Sequence, residues 1–346
     1  MKKVSVIIPV YNGERTIERC LKSVKNQTYS DVEIIVVNDD SSDRSANIIE
    51  NSLYDFDNKI IVHRKRNEGV EIARKTGIIT SHGVYITFVD ADDYLEQDAI
   101  EKMVNAMECY HTDLVQCRSK IFFTLGGGVI HPFRLKKKEG RFICKDEILT
   151  KEILSFFGYG SFSVTVWGKL YKREMLENVR TAGLSFGEDL YLNMQIFPKL
   201  DSIYVLPDTL YHYERQGVTS KFIPNFMEDT KLLYHLKIEE AKEIQSDKAF
   251  LYSTIELRNC LKTYVESMIL HKVDSPKGIK ERIKQELQDV TYIVFEWLRN
   301  QKQSGHSDIS LAIMNKDIDS IYDLCRKSVY EWKWKKIARR ILVKLS

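Results

Sequence analysis

No apolar run in this 346-residue chain approaches the ~18–20 residues that cross a bilayer. The opening MKKVSVIIPVYN has a basic start, but its apolar stretch is broken at Pro9 and no small-residue cleavage site follows. That is short for a secretory leader. There is no GxxxxGK followed by Ser or Thr, which excludes a P-loop, and no GxGxxG after the first apolar run, which argues against a dinucleotide site. None of the six cysteines (Cys20, Cys109, Cys117, Cys144, Cys260, Cys325) forms a CxxC pair, and a chain this long does not need disulfide staples. They read as reduced thiols, mostly core fillers, in a cytosolic protein. Eight histidines are scattered without metal-site spacing. Six prolines and sixteen glycines are too few for a low-complexity or collagen-like chain.

What is present is an ordinary globular composition, 43% hydrophobic and 29% charged. At roughly 100–200 residues per domain, the length suggests two domains, or one large domain with an extension. The net charge of +3 is unevenly spread. Residues 326–346 hold eight Lys/Arg and one acid, Glu331, while the remainder holds 44 bases and 48 acids. A slightly acidic body therefore carries a basic tail, and basic tails seek phosphates.

The first ~130 residues alternate between strand and helix patterns. Segments 4–10, 32–37, 60–63 and 84–89 are short apolar runs, the mark of buried parallel strands. Asn12 is positioned to cap a helix whose apolar face is Ile17, Cys20, Leu21 and Val24. Residues 41–50 and 71–79 read as helices, and Ile100, Met103, Val104 and Met107 line another. From 114 to 220 the pattern is mixed, with strands expected at 114–118 and 121–125 before a Gly126–Gly128 turn, and helices near 146–157 and 188–200. Beyond about 224 the strand signals stop. These patterns predict a doubly wound, mostly parallel α/β domain over 1–223 and a helical region over 224–346.

In such a sheet, ligands bind outside the carboxyl ends of the strands. Here those ends carry Pro9, Tyr11 and Asn12; then Asn38, Asp39, Asp40 and Asp43; then Arg66, Asn67, Glu68 and Gly69; then Asp90, Ala91, Asp92 and Asp93. Clustered carboxylates repel and call for a cation, and carboxylate oxygens favour Mg²⁺, Mn²⁺ or Ca²⁺. The residues leave two chemistries open: a metal-bridged diphosphate or a phosphoenzyme aspartate.

The segments VSVIIPVYN (4–12), IIVVNDDSSD (34–43), NEGVEIARKTG (67–77), FVDADDYL (88–95), VWGKLYKREML (166–176) and FGEDLYL (186–192) occur in the order found in family-2 glycosyltransferases of the GT-A fold. The chain resembles that family over about residues 1–220, and the resemblance stops before the helical third. It implies a Rossmann-like, mostly parallel mixed sheet. It also implies a cytoplasmic enzyme that transfers a sugar, with inversion, from a nucleotide donor to a hydroxyl of a glycan or lipid-linked glycan. UDP is the expected nucleotide, Mn²⁺ or Mg²⁺ the expected cofactor, and cell-surface polysaccharide the expected product; no nucleic-acid partner is expected.

By that resemblance Asp92 and Asp90 are the metal ligands of a DXD motif with Ala91 between them, and Asp90 also lies against the ribose. Asp39 accepts from the uracil imide, and Pro9, Tyr11 and Asn12 wall the base pocket. Asn67, Gly69 and Arg74 match a nucleotide-binding stretch in which Arg74 serves equally well as a structural ion-pair partner. Asp189 is the general base, with Glu188 holding the acceptor or the loop. Without the motif order, an Asp-rich turn is a helix cap and a Glu-Asp pair at a helix start answers the macrodipole. Arg215, Thr219 and Ser220 suit a diphosphate, and His212 is a further candidate metal ligand. The family usually has Gly where this chain has Asp40, and Asn where it has Lys75.

Two rival readings accompany this one. A phosphotransferase or phosphatase with a nucleophilic aspartate in residues 90–93 would want Thr or Val at 94, where Tyr94 stands. A non-catalytic sugar- or nucleotide-binding module would not need both Asp92 and Asp189. The tail, with apolar residues at 330, 334, 337, 338, 341, 342 and 345 and Lys/Arg elsewhere, is either an interfacial helix on the inner face of the cytoplasmic membrane or a helix packed on the body. The run Lys136–Lys138 reads as a solvated loop.

Overall fold

A computed structural model describes residues 1–122, 140–214, 222–288, 298 and 307–345. The chain divides into two compact units: Met1–Phe156 with Gly160–Gly217, and Phe157–Tyr159 with Val218–Ser346.

The first unit is built on β1 (Val4–Val10), β2 (Val32–Asn38), β3 (Lys59–His63), β4 (Tyr85–Phe88), β5 (Tyr94–Leu95), β6 (Leu114–Phe122), β7 (Arg141–Cys144), β8 (Lys169–Lys172) and β9 (Ser202–Glu214). They form one mixed sheet in the order β3-β2-β1-β4-β8-β6-β9-β5, with β7 on β9. The first four strands in space are parallel. Every residue of β1 and β2 is buried, which is why both are rich in Val and Ile, with Ser5, Pro9, Glu33 and Asn38 the exceptions. The helices are α1 (Ile17–Lys25), α2 (Ser45–Ser52), α3 (Val70–Thr80), α4 (Ala99–Tyr110), α5 (Lys145–Thr150) and α6 (Glu188–Ile196). Ile17, Cys20, Leu21 and Val24 of α1 are buried, as their spacing predicts. Each such aliphatic side chain contributes about 1.5–3 kcal/mol by leaving water. On α3, Gly77 lies so close to β1 that a Cβ there would collide with Ile7.

Several local expectations are corrected. Asn12 does not cap α1, which starts at Ile17 after Thr16; Asn12 turns through a left-handed φ of 51° and bonds the next loop instead. The two strands expected at 114–118 and 121–125 begin as one, β6, whose pairing with β9 is irregular around Arg118. The helix expected near 146–157 is α5 followed by a 3-10 turn over Glu152–Phe157. Residues 126–128 and 136–138 lie outside the described residues.

The second unit is helical: α7 (Phe226–Glu243), α8 (Asp247–His271), α9 (Pro276–Gln288), α10 (Asp308–Met314) and α11 (Ile318–Leu345). Ser246 and Ser307 cap α8 and α10 by accepting from the Ala249 and Ser310 amides. Its core gathers Leu257, Leu261, Val265 and Met268 of α8, Ile279 and Ile283 of α9, and Ile321, Tyr322 and Cys325 of α11. Among the described residues no helix is long and apolar enough to cross a membrane.

Candidate active site

Parallel pairing brings the carboxyl ends of β1, β2, β3 and β4 to one edge, with Val10 opposite Asn38 and Asn38 opposite His63. The loops after β1 and β2 are laced together there. The Asn12, Gly13 and Glu14 amides donate to Ser41 Oγ (3.0 Å), Ser45 Oγ (2.8 Å) and Asp43 Oδ2 (3.0 Å). Asn12 Oδ1 accepts in return from the Ser42 amide at 2.9 Å. Asp40 sits at φ 61°, a left-handed conformation that Asp tolerates better than most residues, so the loop keeps its turn where the family usually has Gly. Of the three residues expected to wall a base pocket, Pro9 is buried inside β1, while Tyr11 and Asn12 are exposed.

Asp39 is 2% exposed and its carboxylate is already engaged. Oδ1 accepts from Arg64 Nη1 (2.8 Å) and the Glu68 amide (3.3 Å), and Oδ2 from the Gly69 amide (2.8 Å). Burial nonetheless raises it above the ordinary Asp value, against the pull of Arg64. Through these bonds Asp39 organises the turn into α3. Asn67 joins it, its Oδ1 accepting from the Gly69 amide at 2.9 Å. Gly69 has φ 88°, and a Cβ there would meet open space, so the turn selects Gly for its dihedral while leaving room beside it.

Arg74, on α3, is the hub of the site. It is 4% exposed and donates to Asp90 Oδ1 (2.9 Å), Glu188 Oε1 (3.3 Å) and Asp189 Oδ1 (2.5 Å). The turn Asp90-Ala91-Asp92 after β4 and the acidic pair at the start of α6 are thus joined through one guanidinium. Burial opposes its charge, but the three carboxylates outweigh burial and hold it above the usual arginine value. Of the two expectations for Arg74, the structure shows the ion pairs, with both terminal nitrogens on carboxylates. Asp90, bound to Arg74, is also poorly presented as the nucleophile of a phosphoenzyme.

The surrounding carboxyls are protonated more readily than usual. Burial, then Asp189, pushes Glu188 up to about 7, against Arg74. Burial, then Asp90, raises Asp92 to about 6. Burial, with Asp90 and Asp92, raises Asp93 to about 8. Asp93 is wholly buried, accepting from Tyr211 Oη (2.6 Å) and the Glu214 amide (2.8 Å), which ties the turn after β4 to β9. Asp92 has no ion pair among the described residues, and Ala91 beside it is half-buried. Its neighbours Asp90 and Asp93 are engaged by Arg74 and by Tyr211, so Asp92 is the carboxylate of this turn without a cationic partner among the described residues.

His212 does not join that set. Its Nε2 is 2.5 Å from Glu96 Oε1, its ring stacks on Tyr94, and burial lowers its basicity. Among the described residues no group of three or more His, Cys, Asp or Glu could hold a metal ion. Arg215, Thr219 and Ser220 lie outside the described residues.

Asp189 is held on its second oxygen as well, Oδ2 accepting from the Val166 amide at 3.1 Å. Trp167, next in sequence, stacks on Tyr211 and Tyr213 of β9. Lys169 of β8 is wholly buried; burial drops its ammonium to about 7, and the Asp189 charge opposes that fall. Sequence reasoning missed Lys169, Arg64 and Glu71. Glu71 lies one turn before Arg74 on α3 and accepts from the Ala182, Gly183 and Leu184 amides (2.9, 2.7 and 3.2 Å), anchoring the approach to the acidic pair. The available signal was a Glu and an Arg spaced i, i+3 on a helix that packs both faces.

The family model described as Glycosyl transferase family 2 matches residues 5–180. Glycosyltransferase GlyA of Streptococcus pneumoniae is 33% identical over 228 residues, 63% of this chain, though the chain spans only 32% of that protein. The uncharacterized glycosyltransferase EpsJ of Bacillus subtilis is 31% identical over 299 residues, 82% of each chain. The fold is similar to that of S. aureus TarS residues 1–349 crystallised with UDP-GlcNAc, with TM-score 0.66 and 19% identity over 94% of this chain and 92% of that one. With its acidic motifs gathered on Arg74 at the strand ends and the family match spanning half its length, the chain belongs to glycosyl transferase family 2.

Proposed function

We propose that the protein transfers a sugar from a UDP-sugar to a hydroxyl of a glycan or lipid-linked glycan, with inversion, in cell-surface polysaccharide assembly. The observation that carries this reading is the Arg74 bridge, which holds Asp90 and Asp189, read as the donor-side and acceptor-side carboxylates, on one guanidinium. The UDP-GlcNAc bound to TarS supports a UDP-linked donor for a chain of the same fold.

In this reading the acceptor oxygen bonds to the anomeric carbon as the bond to the diphosphate breaks. Asp189 takes the acceptor proton, and UDP leaves. A base fixed on both oxygens keeps its remaining lone pairs in a set direction, which favours a single reactive geometry. Glu188, near neutral in its titration, is suited to hold the acceptor by donating or accepting. Tyr11, exposed just after β1, would wall the base, with Asn67 and Gly69 contributing from the turn before α3. Asp92, with Asp90 beside it, would hold Mn²⁺ or Mg²⁺; such ions are bound by one or two carboxylates plus substrate phosphates. When bound, the ion supplies Lewis-acid stabilisation of the charge on the leaving diphosphate. We extend the proposal to location. The eight bases and one acid of residues 326–346 suit the anionic face of a membrane that displays lipid-linked acceptors.

The test is a panel of UDP-glucose, UDP-galactose and UDP-GlcNAc, each with Mn²⁺ and with EDTA, read by protection against thermal unfolding and by release of UDP. A stabilising donor whose hydrolysis needs the cation is expected, with the released sugar inverted by NMR. Asp189→Asn should then cut turnover on the order of 10²–10⁴-fold while donor affinity stays within a few-fold. Full turnover in EDTA, or a retained anomer, would sink the proposal.

A further inference from the structure

Four consecutive carbonyls, at Ser163, Val164, Thr165 and Val166, face buried polar side chains. Lys169 Nζ donates to Ser163 O at 3.0 Å and also to Thr165 O. Asn193 Nδ2, one helical turn beyond Asp189 on α6, reaches Val164 O (2.9 Å), Thr165 O (3.1 Å) and Asp189 O (3.1 Å). The Tyr171 hydroxyl donates to Asn193 Oδ1 at 2.9 Å and lies 3.3 Å from Val166 O. Lys169, Asn193 and Tyr171 are all wholly buried.

The peptide joining Thr165 to Val166 is the link that matters. In a planar trans peptide the N–H points opposite to the C=O. Lys169 and Asn193 hold the Thr165 carbonyl on one side, so the Val166 N–H is directed to the other, where it meets Asp189 Oδ2 at 3.1 Å. Arg74 holds Oδ1. The last torsion of an Asp side chain is soft, and two donors on opposite oxygens are what fix it. An ammonium is also a costly way to fill a core, because a methionine of similar shape would avoid the desolvation. Its presence beneath the acidic pair asks for a role that packing alone does not supply.

We propose that Lys169 is a positioning residue for the transfer reaction: through the Thr165–Val166 peptide it sets the orientation of the Asp189 carboxylate. The inference rests on Asp189 being the general base. Lys169 touches neither donor nor acceptor, so its loss should appear in turnover and not in donor binding. A misplacement of about 1 Å at a reacting group can cost on the order of 10²-fold in rate.

The experiment is a double-mutant cycle of Lys169→Met with Asp189→Asn on the full chain, using the UDP-sugar that the panel selects and reading released UDP. Melting curves and circular dichroism accompany every variant. Tyr171→Phe, which removes one hydroxyl from the same cradle, replaces Lys169→Met if the latter fails to fold. We expect the Lys169 variant to lose at least tenfold in kcat with donor KM within twofold, and to add less than twofold on the Asp189→Asn background. The Tyr171 variant should show the same pattern with a smaller loss. Unchanged kcat in the folded variant, or an equal loss on both backgrounds, overturns the positioning role. If Asp189→Asn alone keeps full turnover, the base assignment itself fails, a result distinct from the other two.

Discussion

At the scale of single residues, Arg74 is the most exacting position. Arg74→Ala would leave the half-buried Asp90, Glu188 and Asp189 crowded without their shared cation. Removing one partner of a buried ion pair costs about 3–5 kcal/mol, so the variant should melt well below the parent. Arg74→Lys should recover little of that loss, because a single ammonium cannot reproduce the planar fork that meets three carboxylates. A melt of the three proteins side by side decides this; equal stability of the lysine variant and the parent would contradict it. The residue itself was legible in the stretch 67–77, but its partners were not. Glu188 and Asp189 lie 114 and 115 positions away, and nothing local to α3 names them. Asp39 shows the same limit: its place at a strand end was readable, but its engagement by Arg64 depends on how the next strand ends.

At the scale of elements, α3 is a clamp. Glu71 and Arg74 face the same stretch of chain, one taking the amides of 182–184 and the other the acidic pair. Glu71→Ala would strand three amides, and each lost hydrogen bond left unsatisfied costs about 1–3 kcal/mol, less where water can enter. The expected outcome is a lower melting temperature together with faster tryptic cleavage at Arg180, which is exposed just before the anchored turn. Unaltered cleavage would show that the turn holds without α3. Long periodic elements such as α1 and α4 were readable from spacing alone. The short strands β5, β7 and β8 were not, because two to four residues carry no period and their pairing with β9, β4 and β6 supplies the definition.

At the scale of the whole molecule, the buried carboxyls set how stability varies with pH. Glu188, Asp92 and Asp93 titrate near 7, 6 and 8 in the fold, against 4.5, 3.8 and 3.8 when unfolded. The folded chain therefore holds more protons across this window, and stability is greatest below it and lost as pH rises. His212, lowered from 6.5, opposes the trend with one group, and Lys169 opposes it only above about 7. In EDTA the melting temperature should fall between pH 5 and pH 7, and added Mn²⁺ with UDP should lessen the fall. A rising melting temperature over that interval would contradict the carboxyl assignment. The last helix, α11, is only partly held by the core. Ile321, Tyr322, Cys325 and Val329 are buried in the helical core, whereas Tyr330 and Trp332 are 60% and 49% exposed. Truncation after residue 332 should thus leave the melting temperature within a few degrees. It should weaken binding to anionic vesicles at low salt, each Lys or Arg near such a surface contributing about 1 kcal/mol. Unchanged vesicle binding with a large drop in melting temperature would mean that the tail packs on the protein.

The sequence alone determined the alternation of strands and helices, the edge at which ligands meet the sheet and the order of motifs that marks the family. These are local properties: a period of two or 3.6, a turn residue after a strand, an acid beside a helix start. Only the tertiary structure decided that one buried arginine serves both acidic motifs, that Asp39 is already engaged, that His212 is bound to Glu96 instead of standing beside Asp92, and that a lysine lies beneath the acidic pair. Each of those depends on which distant segments share a buried volume. There a charge must find its partner at close range, and no sequence interval encodes that pairing.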